Sequence, residues 1–231
     1  GLPPAQRKAL EEAAGMDLVV TARDARNEEH DPANDRELGA FRGQLLDYLD
    51  LIGKWTRVYN LTAVRDPQEM LTHHLLDSLA VVGPLRRQTG GHAVKLLDVG
   101  SGAGLPGVVM AICCPEVDVH CVDTVAKKAA FIQQVAATLR LPNLRGVHAR
   151  VESLAGPYDV VSARAFASLP DLVNWSARAL GEGGVWLAMK GKHPADELAA
   201  LPAGVQVFHV EPLQVPGLAA ERCIVWLRPV A

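Results

Sequence analysis

Val94-Lys95-Leu96-Leu97-Asp98-Val99-Gly100-Ser101-Gly102-Ala103-Gly104 (residues 94–104) is a short apolar run that ends beside an acid and passes straight into alternating glycines. The run predicts a buried strand over 94–99. The glycines predict a sharp turn whose backbone comes close to a ligand, where a Cβ would collide with it. Apolar residues resume and predict a helix over 104–114. Strand, glycine turn and helix form the opening unit of a layered α/β sheet.

Downstream the same texture repeats. Strands are expected over 117–123, 144–150, 158–163 and 184–190, with helices over 126–141 and 169–180. Two last strands, 205–210 and 223–227, are close enough in sequence to pair antiparallel. Such alternation predicts an open, mostly parallel sheet covered on both faces, with ligands at the carboxyl ends of its strands. Upstream the pattern differs. Residues 1–35 are polar and charged and read as a short helix over 3–14 followed by a loose linker. From Arg36, Leu38, Phe41, Leu45, Leu49 and Ile52 recur at helical spacing, so this helix needs a surface to pack on. A second helix is expected over 68–82, closed by Gly83-Pro84. The chain thus divides into an N-terminal segment 1–35, a helical subdomain 36–90 on the substrate side, and a sheet domain 91–231.

With 231 residues, 49% of them hydrophobic, the chain can bury the core of one α/β domain. Its longest apolar runs are broken by glycine and proline well short of the roughly 20 residues that span a bilayer. Gly1-Leu2-Pro3-Pro4 lacks the basic start and apolar core of a secretion signal. A cytoplasmic protein without a membrane partner is expected. The four cysteines, Cys113, Cys114, Cys121 and Cys223, sit in apolar stretches without metal-ligand spacing, so no metal is expected. A net charge of −3 excludes a general polyanion coat but leaves room for a local basic face.

A glycine turn alone does not name its ligand. Read from Gly100, the spacing GxGxxG of a dinucleotide fingerprint places Leu105 at its last position. Asp98 beside the turn is a poor neighbour for a pyrophosphate, but it suits a ligand bearing a cationic amino group, as the methionine part of S-adenosylmethionine does. Asp123 ends the next strand, where a carboxylate accepts ribose hydroxyls. Asp98, Gly102, Gly104 and Asp123 are therefore candidate contacts to S-adenosylmethionine and its product S-adenosylhomocysteine. NAD, and a tight turn with incidental acids, are the alternatives. Equilibrium binding of S-adenosylhomocysteine against NAD separates them.

The loop extended through Leu105-Pro106-Gly107 resembles the signature of the RsmG (GidB) family of bacterial methyltransferases. Trp55-Thr56-Arg57-Val58-Tyr59-Asn60-Leu61-Thr62 and His74-Leu75-Leu76-Asp77-Ser78-Leu79 are similar to two further family blocks. Arg150-Val151-Glu152, Ser162-Ala163-Arg164-Ala165-Phe166-Ala167 and Lys190-Gly191 follow in the family's order. The resemblance implies a Rossmann-like, seven-stranded class I S-adenosylmethionine-dependent fold with an N-terminal helical extension. It implies methyl transfer to N7 of one guanine in 16S ribosomal RNA, in the small subunit or an assembly intermediate. It also implies that Gly100 and Leu105 line the methionine side, Val151 and Glu152 the adenine side, and Arg164 the region of the transferred methyl, with Asn60 and His74 as further catalytic candidates. Lys127-Lys128 stands where the family has Lys-Arg, and Cys223 where a His is usual.

Guanine N7 carries a free lone pair, so no base is needed and positioning dominates. The chain lacks the Asn/Asp-Pro-Pro-Tyr/Phe block of amino-group methyltransferases, and Cys113-Cys114 fall in the first helix of the sheet domain rather than at a cytosine-C5 site. Lys54, Arg57, Arg65, Lys127, Lys128 and Lys190 cluster near strand ends and on the extension, and are the candidate RNA contacts. A small-molecule methyltransferase and a non-enzymatic RNA-assembly factor are the rival readings.

Overall fold

The computed structural model describes residues 32–64 and 66–230. The helix and linker expected within 1–35 fall outside these residues up to Asp31, as does Arg65. Helix α1, Pro32–Tyr59, starts earlier than Arg36, because a proline is at home in a first turn whose N–H groups have no helical partner. Phe41, Leu45, Leu49 and Ile52 of the expected stripe are buried, and α1 packs on α4 (Gly107–Cys113) and α5 (Ala126–Leu139). The next helix is composite. It is α-helical at Pro67–Met70, wound as a π-helix over Leu71–Leu76 and α-helical again at Asp77–Leu79; together these pieces form α2. Gly83 and Pro84 do not close it but fall in the first turn of α3, Val82–Thr89, again where a missing N–H does no harm.

The sheet strands are β1 Val94–Val99, β2 Val117–Asp123, β3 Leu144–His148, β4 Tyr158–Arg164, β5 Leu180–Lys190, β6 Val205–Leu213 and β7 Arg222–Pro229. Their order is β3-β2-β1-β4-β5-β7-β6. The first five run parallel, and β7 is antiparallel to both its neighbours. Helix α6, Leu169–Ser176, is capped by the Ser168 hydroxyl and stops before Leu180, which instead opens β5 against Tyr158. A short helix α7, Ala195–Ala199, was not expected from the pattern.

Alternation along β1 divides the core. Leu96 packs with Val108, Met110 and Phe131 on one face, together with Leu45, Tyr48 and Leu85 of the N-terminal helices. Leu97 and Val99 pack with Val161, Trp186 and Val225 on the other. Each such side chain contributes about 1.5–3 kcal/mol. Because α1–α3 share the core under β1, the extension is held against the strand that leads into the glycine turn. Strand order reverses between β1 and β4, the place where open α/β sheets leave a crevice at their carboxyl ends.

Candidate active site

The turn after β1 is fixed from three sides. Gly100 and Ser101 donate backbone N–H groups to the Val122 carbonyl at 2.9 and 3.2 Å, and Gly102 N–H donates to Asp123 Oδ2 at 3.0 Å. From α1, the buried Tyr48 hydroxyl donates to the Ala103 carbonyl at 2.6 Å. Positive φ at Gly100, Gly102 and Gly104 keeps this stretch out of the helix, so α4 starts at Gly107 and not at Gly104. Replacing Tyr48 with Phe leaves the Ala103 carbonyl buried without its partner. We expect about 1–2 kcal/mol of lost stability and a several-fold weaker affinity for S-adenosylhomocysteine, read by melting and calorimetry.

Asp98 holds the turn from within. It is fully buried; one oxygen accepts the Gly107 N–H at 3.0 Å and the other the Ser162 hydroxyl at 2.8 Å. Burial pushes its carboxyl up to about 6, against the lowering effect of those two donors. Asp98, placed before the glycines as a candidate for a ligand's amino group, has both oxygens engaged within the protein. Leu105 is also core and stands behind the turn.

In front of the turn lies a cleft of about 330 Å³ lined by Gly100, Asp123, Val151, Glu152, Phe166 and Trp175 among others. Asp123 is positioned by the Val125 N–H at 2.9 Å, by Gly102, and by Lys128 Nζ at 3.7 Å from Oδ2. A carboxylate has about four lone-pair directions, so acceptor capacity toward a diol remains. Val151 is a buried apolar wall. Glu152 stands at the lip, its carboxyl held below the usual range by its own backbone N–H and then by Arg150. Lys128, a candidate RNA contact, lines this cleft. The edge-on pair Phe166 and Trp175, 5.8 Å between centroids, was missed; Phe166 lay inside a quoted block, but nothing local marks a ring that turns toward a cleft.

A second cleft of about 400 Å³ adjoins it, lined by His73, His74, Asp77, Arg164, Ala165, Met189, Lys190, Gly191 and Arg222. Its hub is the buried Asp77. Arg164 Nη1 donates to Oδ2 at 2.9 Å and to the His73 carbonyl at 3.0 Å, while Arg222 Nε donates to Oδ1 at 2.9 Å. Neither Asp77 nor Arg222 was singled out from sequence, although Arg222 precedes the divergent Cys223. Ala165 lines both clefts with φ +49°, a conformation that strains an L-residue by about 1–2 kcal/mol. Strain of this kind gathers at functional sites.

His74 faces the second cleft from the π-helix. Its Nε2 lies 3.0 Å from the Thr62 hydroxyl, and burial, followed by the Arg164 charge, lowers its pKa to about 4. The imidazole is therefore neutral throughout the physiological range. Its folded pKa lies below the unfolded value near 6.5, so the stability it contributes is present above 6.5 and is lost as pH falls toward 4. We expect up to about 3 kcal/mol of acid destabilisation that His74→Asn reduces, measured by denaturant unfolding at pH 4.5 and 7.5.

The remaining candidates lie elsewhere. Asn60 lines neither cleft; it ends α1 in the left-handed region at φ +51°, with its N–H on the Thr56 carbonyl, as a helix-terminal turn residue does. Lys190, a candidate RNA contact, has Nζ on Glu197 at 2.7 Å and on the Ala167 carbonyl at 2.9 Å, at the second cleft. Lys54, Arg57 and Lys127 are exposed. Among the described residues no group of acids, histidines and cysteines could hold a metal, and no helix is long and apolar enough to cross a membrane.

Comparison with known proteins identifies the family. The family model GidB, described as rRNA small subunit methyltransferase G, matches residues 42–225. The chain is 74% identical over 196 residues to the ribosomal RNA small subunit methyltransferase G of Acidovorax ebreus (strain TPSY), covering 81% of this chain and 87% of that one. With the same-named protein of Paracidovorax citrulli (strain AAC00-1) it is 68% identical over 201 residues, covering 82% and 83%. Among solved structures, TrmN from Thermus thermophilus superposes with a TM-score of 0.53 at 18% identity over 69% of this chain and 53% of that one. A SAM-dependent methyltransferase from Aquifex aeolicus gives 0.51 at 16% over 71% and 99%. At such identities the structural likeness speaks for the fold alone, a class I methyltransferase sheet.

Proposed function

The chain belongs to the GidB family, rRNA small subunit methyltransferase G, and is an S-adenosylmethionine-dependent methyltransferase; from that premise we propose that its acceptor is N7 of one guanine in 16S ribosomal RNA. The observation that carries the proposal is the pair of clefts meeting at Ala165. One is walled by an oriented acid and apolar or aromatic side chains, which suits an adenosine. The other is rich in cationic groups around one buried acid, which suits a purine carried on a polyanion.

Bound S-adenosylmethionine would supply an electrophilic methyl on a sulfonium; as the N7 lone pair bonded to that methyl its bond to sulfur would break and S-adenosylhomocysteine would leave, with no proton to be lost first. The residues then have to bind and align. Asp123 accepts the ribose hydroxyls, Val151 and Glu152 frame the adenine, and Gly100 keeps the floor of the cleft open. The Arg164 guanidinium, tethered by Asp77 and the His73 carbonyl, donates toward guanine O6 and leaves N7 free. His74, neutral and buried, adds no positive charge where the methylated base becomes cationic. Alignment within about 3–3.5 Å supplies roughly 7–11 kcal/mol of a barrier in favourable systems. Lys54, Arg57 and Lys127 meet the phosphates of the small subunit or of its assembly intermediate in the cytoplasm.

Labelled methyl transfer to small-subunit RNA from cells lacking the protein, followed by nucleoside mapping, tests this directly. One N7-methylguanosine is expected. Modification of any other atom overturns the acceptor, and transfer to small molecules but not RNA overturns the substrate class.

A further inference from the structure

The end of α1 carries an aromatic and apolar surface outside both clefts. Tyr59 is 47% exposed, and its neighbour Val58 69%. Isolated exposed apolar residues need no explanation, but this group is braced. The Tyr59 ring lies 5.0 Å from Trp55, and Trp55 meets the fully buried Phe131 edge-on at 5.3 Å. Lys127 Nζ sits 5.2 Å from the Tyr59 ring centroid. Lys54 and Arg57 rise from the same last turns of α1.

We propose that Tyr59, braced by Trp55 and flanked by Lys127, is a stacking platform for a nucleobase of the RNA strand beside the target guanine. This rests on the RNA acceptor proposed above. Charge complementarity selects the occupant, because the exposed Lys127 ammonium beside the ring fits a phosphate whose base is splayed onto it, and Lys54 and Arg57 on other faces of the same helix end add positive charge to the approach, as where single strands are held without sequence readout. Position supports it as well. Three residues after Tyr59, Thr62 touches His74 in the wall of the second cleft, so chain length limits the Cα separation of Tyr59 and Thr62 to about 11 Å. A base on Tyr59 and a guanine in the second cleft are thus within reach of one short strand. The aromatic bracing matters energetically, since a ring already held by Trp55 loses little freedom when a base covers it.

The test is filter binding of 16S ribosomal RNA to the full chain and to Y59A, Y59W and K127A, with S-adenosylhomocysteine affinity measured in parallel. Y59A is expected to weaken RNA binding about 5- to 100-fold with an unchanged slope of log affinity on log salt, Y59W to keep it, and K127A to lower that slope by about one. S-adenosylhomocysteine affinity is expected to stay within about twofold in all of them. RNA affinity of Y59A within about twofold of the parent, or loss in Y59W equal to that in Y59A, overturns the platform. So does self-association of the parent that Y59A abolishes, which assigns the patch to a second copy. If the parent methylates an atom other than guanine N7 while Y59A still loses RNA, the acceptor reading fails and the platform stands.

Discussion

Asp77→Asn is expected to lower kcat for RNA methylation by about 100-fold or more while S-adenosylhomocysteine affinity changes by less than about threefold. The Asp77 side chain is 4% exposed and holds Arg164 on one oxygen and Arg222 on the other. Asparagine keeps one acceptor and turns an amide N–H toward a guanidinium, so one arginine loses its partner and both lose the opposing charge. Breaking a buried pair in this way costs about 3–5 kcal/mol. Arg164 is the last residue of β4 and leads directly into strained Ala165, so a guanidinium that swings free misplaces the acceptor cleft, while the adenosine cleft keeps its floor and its ribose acid on β1 and β2 and is touched only through Ala165 and Phe166. Kinetics and melting should therefore fall together in Asp77→Asn, with cofactor affinity spared. Arg222→Gln in that background is expected to add little, because residues acting through one network are not additive. A variant with parental kcat removes Asp77 from the alignment of the acceptor.

The elements that could be read in advance are those whose cause is local. β1 and β2 have the expected bounds, since β1 runs apolar toward its end while β2 alternates apolar with polar residues, and each end is marked by an acid or a glycine. Asp123, the last residue of β2, and Val151, three residues past β3, are local in the same sense and line the cleft in front of the turn. What was not legible depends on partners distant in the chain. Asp77 and Arg222 are joined across 145 positions, and neither flank announces the other. Asp98 was assigned outward because its carboxylate precedes the glycines, yet Ser162, 64 positions away, and Gly107 take both oxygens. Lys128 and Lys190 look like surface charges in sequence, but Asp123 and Glu197 draw them inward. The π-turn that presents His74 spans only Leu71–Leu76, too short to carry a period of its own.

The glycines of the turn show how such a correction changes a prediction. If Gly100 were needed only to let a ligand approach, Gly100→Ala would weaken binding and leave the protein stable. Its surroundings say otherwise. A Cβ at Gly100 lies 2.2 Å from Phe166 Cδ2, and its φ is +64°. The substitution therefore adds a left-handed alanine, about 1–2 kcal/mol, and an overpacked contact, about 1–3 kcal/mol. The Phe166 ring has to move, and it lines the cofactor cleft. We expect Gly100→Ala to melt lower and to lose S-adenosylhomocysteine affinity by about 100-fold or more, because floor and wall of the cleft shift together. Phe166→Ala in the same chain removes the obstacle and leaves only the backbone strain, so the double variant should regain part of its stability and bind better than Gly100→Ala alone. If Phe166→Ala restores nothing, the glycine is required by its backbone conformation and not by the ring. If Gly100→Ala binds as the parent does, the turn is not the floor of the cofactor cleft.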